Sequence, residues 1–283
     1  MNLGFLGPKG TFTDFACQKA VTSLTINDII EFQSLDQLFD ALKDKSVDAI
    51  FTPIENSIEG PVNRVLDSLI QSKHGFIHHI YTMQINQSIL SFNPDLKLNQ
   101  ISDIISMPHA LAQCYSFIVT HCPNAALHHS SSTAGAVPMV DALNLPKETT
   151  VVIGHQGIAN FFPIHVIEKN IQDQKLNTTQ FCLIQNKSIS SFNDRSSCLI
   201  SFSTHRDAPG SLLKVLSIFK TYDINLSKIS SRPEKSKMGS YIFVVEFPVP
   251  FADFNLDDLF EKIKASSLFF KPLGLYGSFD LND

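Results

Sequence analysis

No CxxC pair occurs in this chain, and its five cysteines (Cys17, Cys114, Cys122, Cys182 and Cys198) are scattered and odd in number. That pattern excludes a regular disulfide frame or cysteine-rich zinc site and suits reduced thiols in a cytoplasm. Positive charge is not in excess either. The net charge is -5, whereas a nucleic-acid surface needs clustered Lys and Arg to neutralise phosphates. No apolar run reaches the roughly 20 residues of a membrane span. Met1 opens directly onto the strand-like NLGFLG, without the basic segment and longer apolar stretch expected of a secretory leader. Histidines and carboxylates show no metal-ligand spacing: the pairs His78–His79 and His128–His129 are adjacent and point opposite ways on a strand. The expectation is a cytoplasmic globular protein without metal, nucleic acid or membrane partner. At 283 residues, 43% of them apolar, it is long enough for one large or two ordinary domains.

What is present is an alternation. LGFL, DIIEF, DAIFTP and ETTVVIG read as buried strands, while TDFACQKAVTSL, SLDQLFDALKD and GPVNRVLDSLIQS carry apolar residues at helical spacing. The stretch from about 81 to 160 repeats this grammar with DIISM, PHALAQCYSFIVTHC, NAALHH and a helix from Thr133. Such alternation predicts parallel sheets covered by helices, in two α/β lobes with a ligand cleft between them over residues 1–185. The polar, Ser-rich stretch 186–197 then reads as a linker. Residues 198–283 follow the order βαββαβ, the ferredoxin-like split motif.

Four polar strand-to-helix turns stand out. GPKGTF, 7–12, has glycines that let a ligand approach the backbone, with Thr11 opening the helix, but its spacing fits neither a P-loop nor a dinucleotide fingerprint. PIENSIEG, 53–60, puts Asn56 and Ser57 at a carboxyl-terminal strand edge, where they can donate to a carboxylate or cap the following helix. SMPHALAQ, 106–113, offers Ser106 and Gln113; its His109 has no Ser or Cys nucleophile beside it and reads as a surface or capping histidine. SSSTAGAV, 130–137, supplies Ser132 and Thr133 as caps or anion donors. A fifth stretch, NTTQF, 177–181, holds hydroxyls and amides but no acid or base. Each is weak alone. Together they describe a cleft of neutral donors for a small anionic ligand.

In this order, GPKGTF, PIENSIEG, PHALAQ, SSTAGAV and NTTQF resemble the prephenate dehydratase family, and APGSLLKVL with KISSRP resembles the two phenylalanine-binding segments of its regulatory ACT domain. The resemblance implies a catalytic domain of two lobes like a periplasmic binding protein, a carboxyl-terminal ACT domain, and a homodimer or homotetramer. It also implies conversion of prephenate to phenylpyruvate, carbon dioxide and water without a cofactor. Thr179 falls on the family's essential threonine. Thr11, Asn56, Ser57, Ser106, Gln113, Ser132, Thr133, Gln180 and Phe181 fall on substrate-binding stretches, with Phe181 expected against the substrate ring. Gly210, Ser211, Leu212, Ser231, Arg232 and Pro233 fall on the segments for the effector L-phenylalanine.

Two departures matter. Gln180 stands where the family has arginine, exchanging a fixed cation for an amide, and losing such a pair in a cleft costs about 2–5 kcal/mol. Lys9 is a candidate to compensate, as against a solvated surface lysine, and Gln180→Arg is expected to raise kcat/KM. Ser230 stands where a glutamate often precedes Ser-Arg-Pro. Two other readings therefore stay open: a prephenate decarboxylase that leaves the ring non-aromatic, and a catalytically impaired amino-acid sensor.

Overall fold

Parallel strands realise the opening alternation. In the computed structural model, which describes residues 1–72, 74–187, 196–205, 208–234, 241–251 and 254–282, the first lobe contains β1 (Asn2–Leu6), α1 (Phe12–Ala20), β2 (Asp28–Phe32), α2 (Leu35–Lys43), β3 (Ala49–Asn56), β4 (Gly60–Pro61), α3 (Asn63–Gln71) and β5 (Phe76–Gln84). The second contains β6 (Ser88–Ser91), β7 (Asp103–Ser106), α4 (Pro108–Gln113), α5 (Tyr115–His121), β8 (Ala126–His129), α6 (Ala136–Ala142), β9 (Thr150–Gly154) and β10 (His165–Lys169). The chain then returns to the first lobe as β11 (Thr178–Gln185). Helix starts follow the capping rule: Thr11 accepts from the Asp14 N–H, and Ser34 from the Gln37 N–H.

The carboxyl-terminal unit is β12 (Ser197–Thr204), α7 (Ser211–Thr221), β13 (Lys228–Pro233), β14 (Tyr241–Pro248), α8 (Leu256–Ala265) and β15 (Ser267–Asp280). Its spatial order β13-β14-β12-β15 is that of the split motif. Residues 188–195 of the expected linker lie outside the described residues. The sheet itself does not stop at the linker. β15 pairs in parallel with β5, giving the continuous order β13-β14-β12-β15-β5-β11-β3-β1-β2, with β4 hairpinned onto β3. A second sheet, β10-β6-β9-β7-β8, forms the other lobe.

Three boundaries differ from expectation. The second lobe runs from β6 to β10 rather than from about 81 to 160, because β5 is held between β11 and β15 in the first sheet while β10 pairs with β6. The helix expected from Gly60 begins at Asn63, since Gly60 and Pro61 pair back onto Asn56 and Glu55. The long helix expected from Pro108 breaks at Cys114.

Burial explains which face each side chain takes. Phe5, Phe51, Phe181 and Leu183 pack beneath α1, whereas Ile50, Cys182 and Ile184 face α2 and α3 together with Leu199, Val244 and Tyr276 of the carboxyl-terminal unit. A buried Phe or Leu contributes about 1.5–3 kcal/mol. The second of these cores therefore fastens the two units together.

Candidate active site

Strand alternation decides the geometry. Antiparallel pairing sets Thr179 opposite Asn56 and Gln180 opposite Glu55. Cross-strand partners share a face, and neighbours along a strand do not. Thr179 and Asn56 therefore lie on one side of the sheet, and Gln180 and Glu55 on the other.

The Asn56 amide is the hub of the first side. Its Oδ1 accepts from the Ile58 and Glu59 N–H groups at 2.9 and 3.0 Å, which fixes the amide's orientation and bends the chain beyond β3. Its Nδ2 donates to Asn177 Oδ1 at 2.8 Å, Thr179 Oγ1 at 2.9 Å and the Thr178 carbonyl at 3.1 Å. Asn177 Nδ2 passes the chain on to Gln113 Oε1 at 3.1 Å, across to the second lobe. Gln87 Nε2 donates to the same oxygen at 3.4 Å, and the Gln87 N–H donates to Gln172 Oε1 at 2.9 Å. Ser57 closes the loop, its N–H donating to the Thr178 carbonyl and its Oγ accepting from the Thr178 N–H. Every member is neutral. Beside them lies a cavity of about 170 Å³ lined by Ile58, Glu59, Gln113, Gln172, Asp173 and Asn177 among others.

Thr179 is buried, and its oxygen accepts from Asn56. A hydroxyl has one proton to give, and this acceptor role leaves it for another partner. The arrangement thus leaves a hydroxyl proton that is not committed to Asn56, on a fixed amide frame.

Other expected residues lie elsewhere. Ser106 is wholly buried and donates to the Ile153 carbonyl at 2.6 Å, a strand-end bond within the second sheet. Thr11 caps α1 and donates to the Pro8 carbonyl at 2.8 Å. Ser132 accepts from the Gly135 N–H at 2.9 Å, and Thr133 is buried against Gly154. Phe181 is stacked on Phe51 with centroids 5.7 Å apart inside the core, so it supports the floor under Thr179 and presents no face to a ligand. Gln180 lines a small polar cavity on the far side with Glu55, Lys228, Ser230, Glu246 and Tyr276. Neither Asn56 nor Ser57 caps α3, whose preceding residue Val62 makes no side-chain cap. His109 is exposed and paired with Glu59 at 3.2 Å. Lys9 is exposed on its turn.

The two lobes also meet at the glycine turn. Gly10, at φ +83°, has room for a hydrogen but not comfortably for a methyl, with Ala134 and Phe161 just beyond. Phe15 lies 4.1 Å from the His155 ring, centroid to centroid, and packs over Gly157. Burial, aided by nearby Lys19, pulls the His155 imidazole down to about 4. It is neutral at pH 7. Burial likewise pushes the Cys17 and Cys114 thiols up to about 12, so neither is a thiolate nucleophile. Among the described residues no group of three or more His, Cys, Asp or Glu could hold a metal.

The prephenate dehydratase family model matches residues 3–189 of this chain. The chain belongs to the prephenate dehydratase family. A prephenate dehydratase of Methanocaldococcus jannaschii is 31% identical over 275 residues, covering 96% of this chain and 97% of that protein. One from Bacillus subtilis is 29% identical over 289 residues, covering 99% and 100%. Among solved structures, a prephenate dehydratase from Arthrobacter aurescens in complex with L-Phe superposes with a TM-score of 0.86 at 27% identity, covering 98% of this chain and 90% of that one.

Asn177, Gln87 and Gln172 complete the amide chain of this prephenate dehydratase fold, though none was singled out from sequence. For Asn177 a signal existed: it stands two residues before Thr179 and so shares its face. Gln87 and Gln172 lie on the two lobe crossings and carry no sequence signal. Of the segments expected to hold an effector, Gly210 adopts φ +82° before α7, with Ser211 and Leu212 opening that helix. Arg232, Ile242 and Ser203 form one cross-strand row, which puts both segments at the same end of the unit. A cavity of about 360 Å³ there is lined by Asp67, Ser203, Arg232, Pro233, Ile242 and Phe269 among others.

Proposed function

We propose that this chain converts prephenate to phenylpyruvate at the Asn56–Asn177–Thr179 cluster. The carboxylate on the cyclohexadiene leaves as carbon dioxide, its bonding electrons enter the ring, and the ring hydroxyl departs to complete the aromatic system. That reaction is driven by aromatisation and asks for no nucleophile, electron sink or cofactor. It asks for a held pose and a donor where negative charge builds on the departing oxygen. The observation that carries the reading is the Thr179 hydroxyl, which accepts from Asn56 and thereby has its own proton to offer. Asn56 fixes the frame, and Asn177 and Gln113, which line the cavity, are the neutral amides that hold the pose, binding carboxylates without trapping the one that must leave. Ser57 keeps the 56–59 loop against β11. Thr11, Ser132 and Thr133 shape the turn where the lobes meet, Ser106 ties the strand ends of the second lobe, and Phe181 supports the floor under Thr179.

The test is incubation of the purified protein with prephenate and measurement of phenylpyruvate. A product that lacks the aromatic enol would favour the non-aromatising decarboxylase, and no product would favour a sensor. The retained Thr179 and the complete amide frame support turnover to the aromatic acid.

Residues 1–185 form the proposed catalytic part and 198–283 an ACT regulatory part. L-Phe is the proposed effector, held near Gly210, Ser211, Leu212, Ser231, Arg232 and Pro233. β13 is an edge strand whose outward face carries Ile229, Ser231 and Pro233, which supports assembly into a homodimer, or a homotetramer, through that edge. No described helix is long and apolar enough to cross a membrane, and a cytoplasmic setting is proposed from the kinship with biosynthetic enzymes. A titration of L-Phe that changed neither turnover nor Tm would remove the effector.

A further inference from the structure

β13 alternates faces along its length. Lys228, Ser230 and Arg232 turn inward while Ile229, Ser231 and Pro233 are exposed. The inward residues reach the catalytic part. Lys228 Nζ pairs with the Glu55 carboxylate. Arg232 donates to Asp67 Oδ1 through Nε at 3.0 Å and Nη2 at 2.6 Å, and through Nη1 to Asn63 Oδ1. A third cation of the same unit, Lys271 on β15, donates to the Leu69 and Ser72 carbonyls at the end of α3.

These contacts share one target. Glu55 immediately precedes Asn56, and Asn63 and Asp67 lie in the first turns of α3. Between them run Asn56, Ser57 and the loop that Asn56 Oδ1 holds. The segment from Glu55 to Asp67 is therefore gripped at both ends from a single strand, at points about 13 Å apart along it. Its start follows a register shift, since the pairing with β11 slips between Phe181 and Gln180 just before Glu55 meets its partner, while Glu55 and Asn56 also pair with Pro61 and Gly60 of β4. Such a slip kinks the strand and disrupts the ladder locally. The ion pair from Lys228 braces that kink on the face opposite Asn56.

We infer that Lys228 and Arg232 are positioning residues for the reaction, a clamp by which the carboxyl-terminal unit sets the Asn56–Thr179 geometry. The inference rests on the proposed use of that pair in prephenate turnover. The outward face of the same strand meets solvent, so whatever docks on Ser231 or Pro233 displaces the clamp rather than the substrate. A shift of β13 moves Glu55, and a shift of Glu55 rotates the Asn56 amide away from Thr179 Oγ1.

The test uses the full chain and two independent readouts. In Lys228→Met and, separately, Glu55→Gln, hydrogen exchange of the amides of residues 56–59 is compared with wild type, alongside kcat and KM for prephenate at a temperature where all forms are folded. The expectation is faster exchange, a fall in kcat of about tenfold with KM within about twofold, near-complete recovery in Lys228→Arg, and no further loss in the double variant Lys228→Met/Glu55→Gln. Unchanged exchange would overturn the clamp. So would faster exchange with wild-type kcat, or a loss in Lys228→Met that Lys228→Arg does not recover. A wild-type protein that made no phenylpyruvate would sink the proposed reaction instead, while the exchange comparison would still decide the clamp.

Discussion

Replacing Thr179 with valine removes one oxygen and keeps the shape of the side chain. The stability cost follows from counting donors. Asn56 Nδ2 has two protons and three acceptors, so losing Thr179 Oγ1 leaves Asn177 Oδ1 at 2.8 Å and the Thr178 carbonyl at 3.1 Å to take both. No buried donor is orphaned, and the cost is about 0.5–1.5 kcal/mol, a fall in Tm of roughly 2–5 °C for a chain of this size. The catalytic cost is of another order. If the hydroxyl proton meets the departing oxygen, losing a pre-aimed donor lowers kcat by roughly 10²–10³. KM stays close to wild type, because the bond strengthens only as charge develops. Phenylpyruvate production, thermal unfolding and substrate saturation on the same preparation separate the two effects. A folded Thr179→Val protein with kcat within about twofold of wild type would refute the reasoning.

Three further outcomes are expected. For His155, the gap between 6.5 and about 4 means that the unfolded chain binds a proton the folded chain refuses, so stability is full above pH 6.5 and falls as pH drops towards 4, by about 3 kcal/mol at most; His155→Asn should flatten that limb in Tm measured against pH. Arg232→Met should cost about 2 kcal/mol in urea unfolding, since both partners of the Asp67 pair are mostly buried (15% and 21% exposed) and the carboxylate loses its guanidinium. Gln180→Arg adds a cation beside Glu55 and Lys228 rather than beside Thr179, so KM for prephenate should stay within about threefold of wild type. A tenfold fall in KM would show that the new side chain reaches the substrate.

That last expectation reverses the one drawn from sequence, and the reason is instructive. Composition and periodicity gave the α/β lobes, the split βαββαβ unit and the polar strand ends, because those depend on local pattern. The motif NTTQF also picks out Thr179, which the structure joins to Asn56. It misleads over Gln180 because a motif reads as one patch, whereas a strand sends successive side chains to opposite faces. Ser106 and Phe181 mislead similarly: each sits at the edge of a polar stretch, and only the three-dimensional pairing shows that one bonds a backbone carbonyl and the other lies in the core. The amides of Gln87 and Gln172 were illegible, since glutamines on lobe crossings have no periodic or capping signature. The grip of Lys228 and Arg232 on residues 55–67 spans contacts about 170 positions apart, which no local pattern encodes.

Because β15 is laid directly along β5, the last strand of the chain is also the seam of its first lobe. Cutting the gene after β11 would not yield a smaller, unregulated enzyme. It would leave β5 with a bare, hydrogen-bonding flank and open the apolar layer that Leu199, Val244, Leu273 and Tyr276 now roof over, an invitation to stick to the next copy. If the carboxyl-terminal unit regulates turnover, point changes within the intact polypeptide are the expected route to a folded, effector-insensitive form.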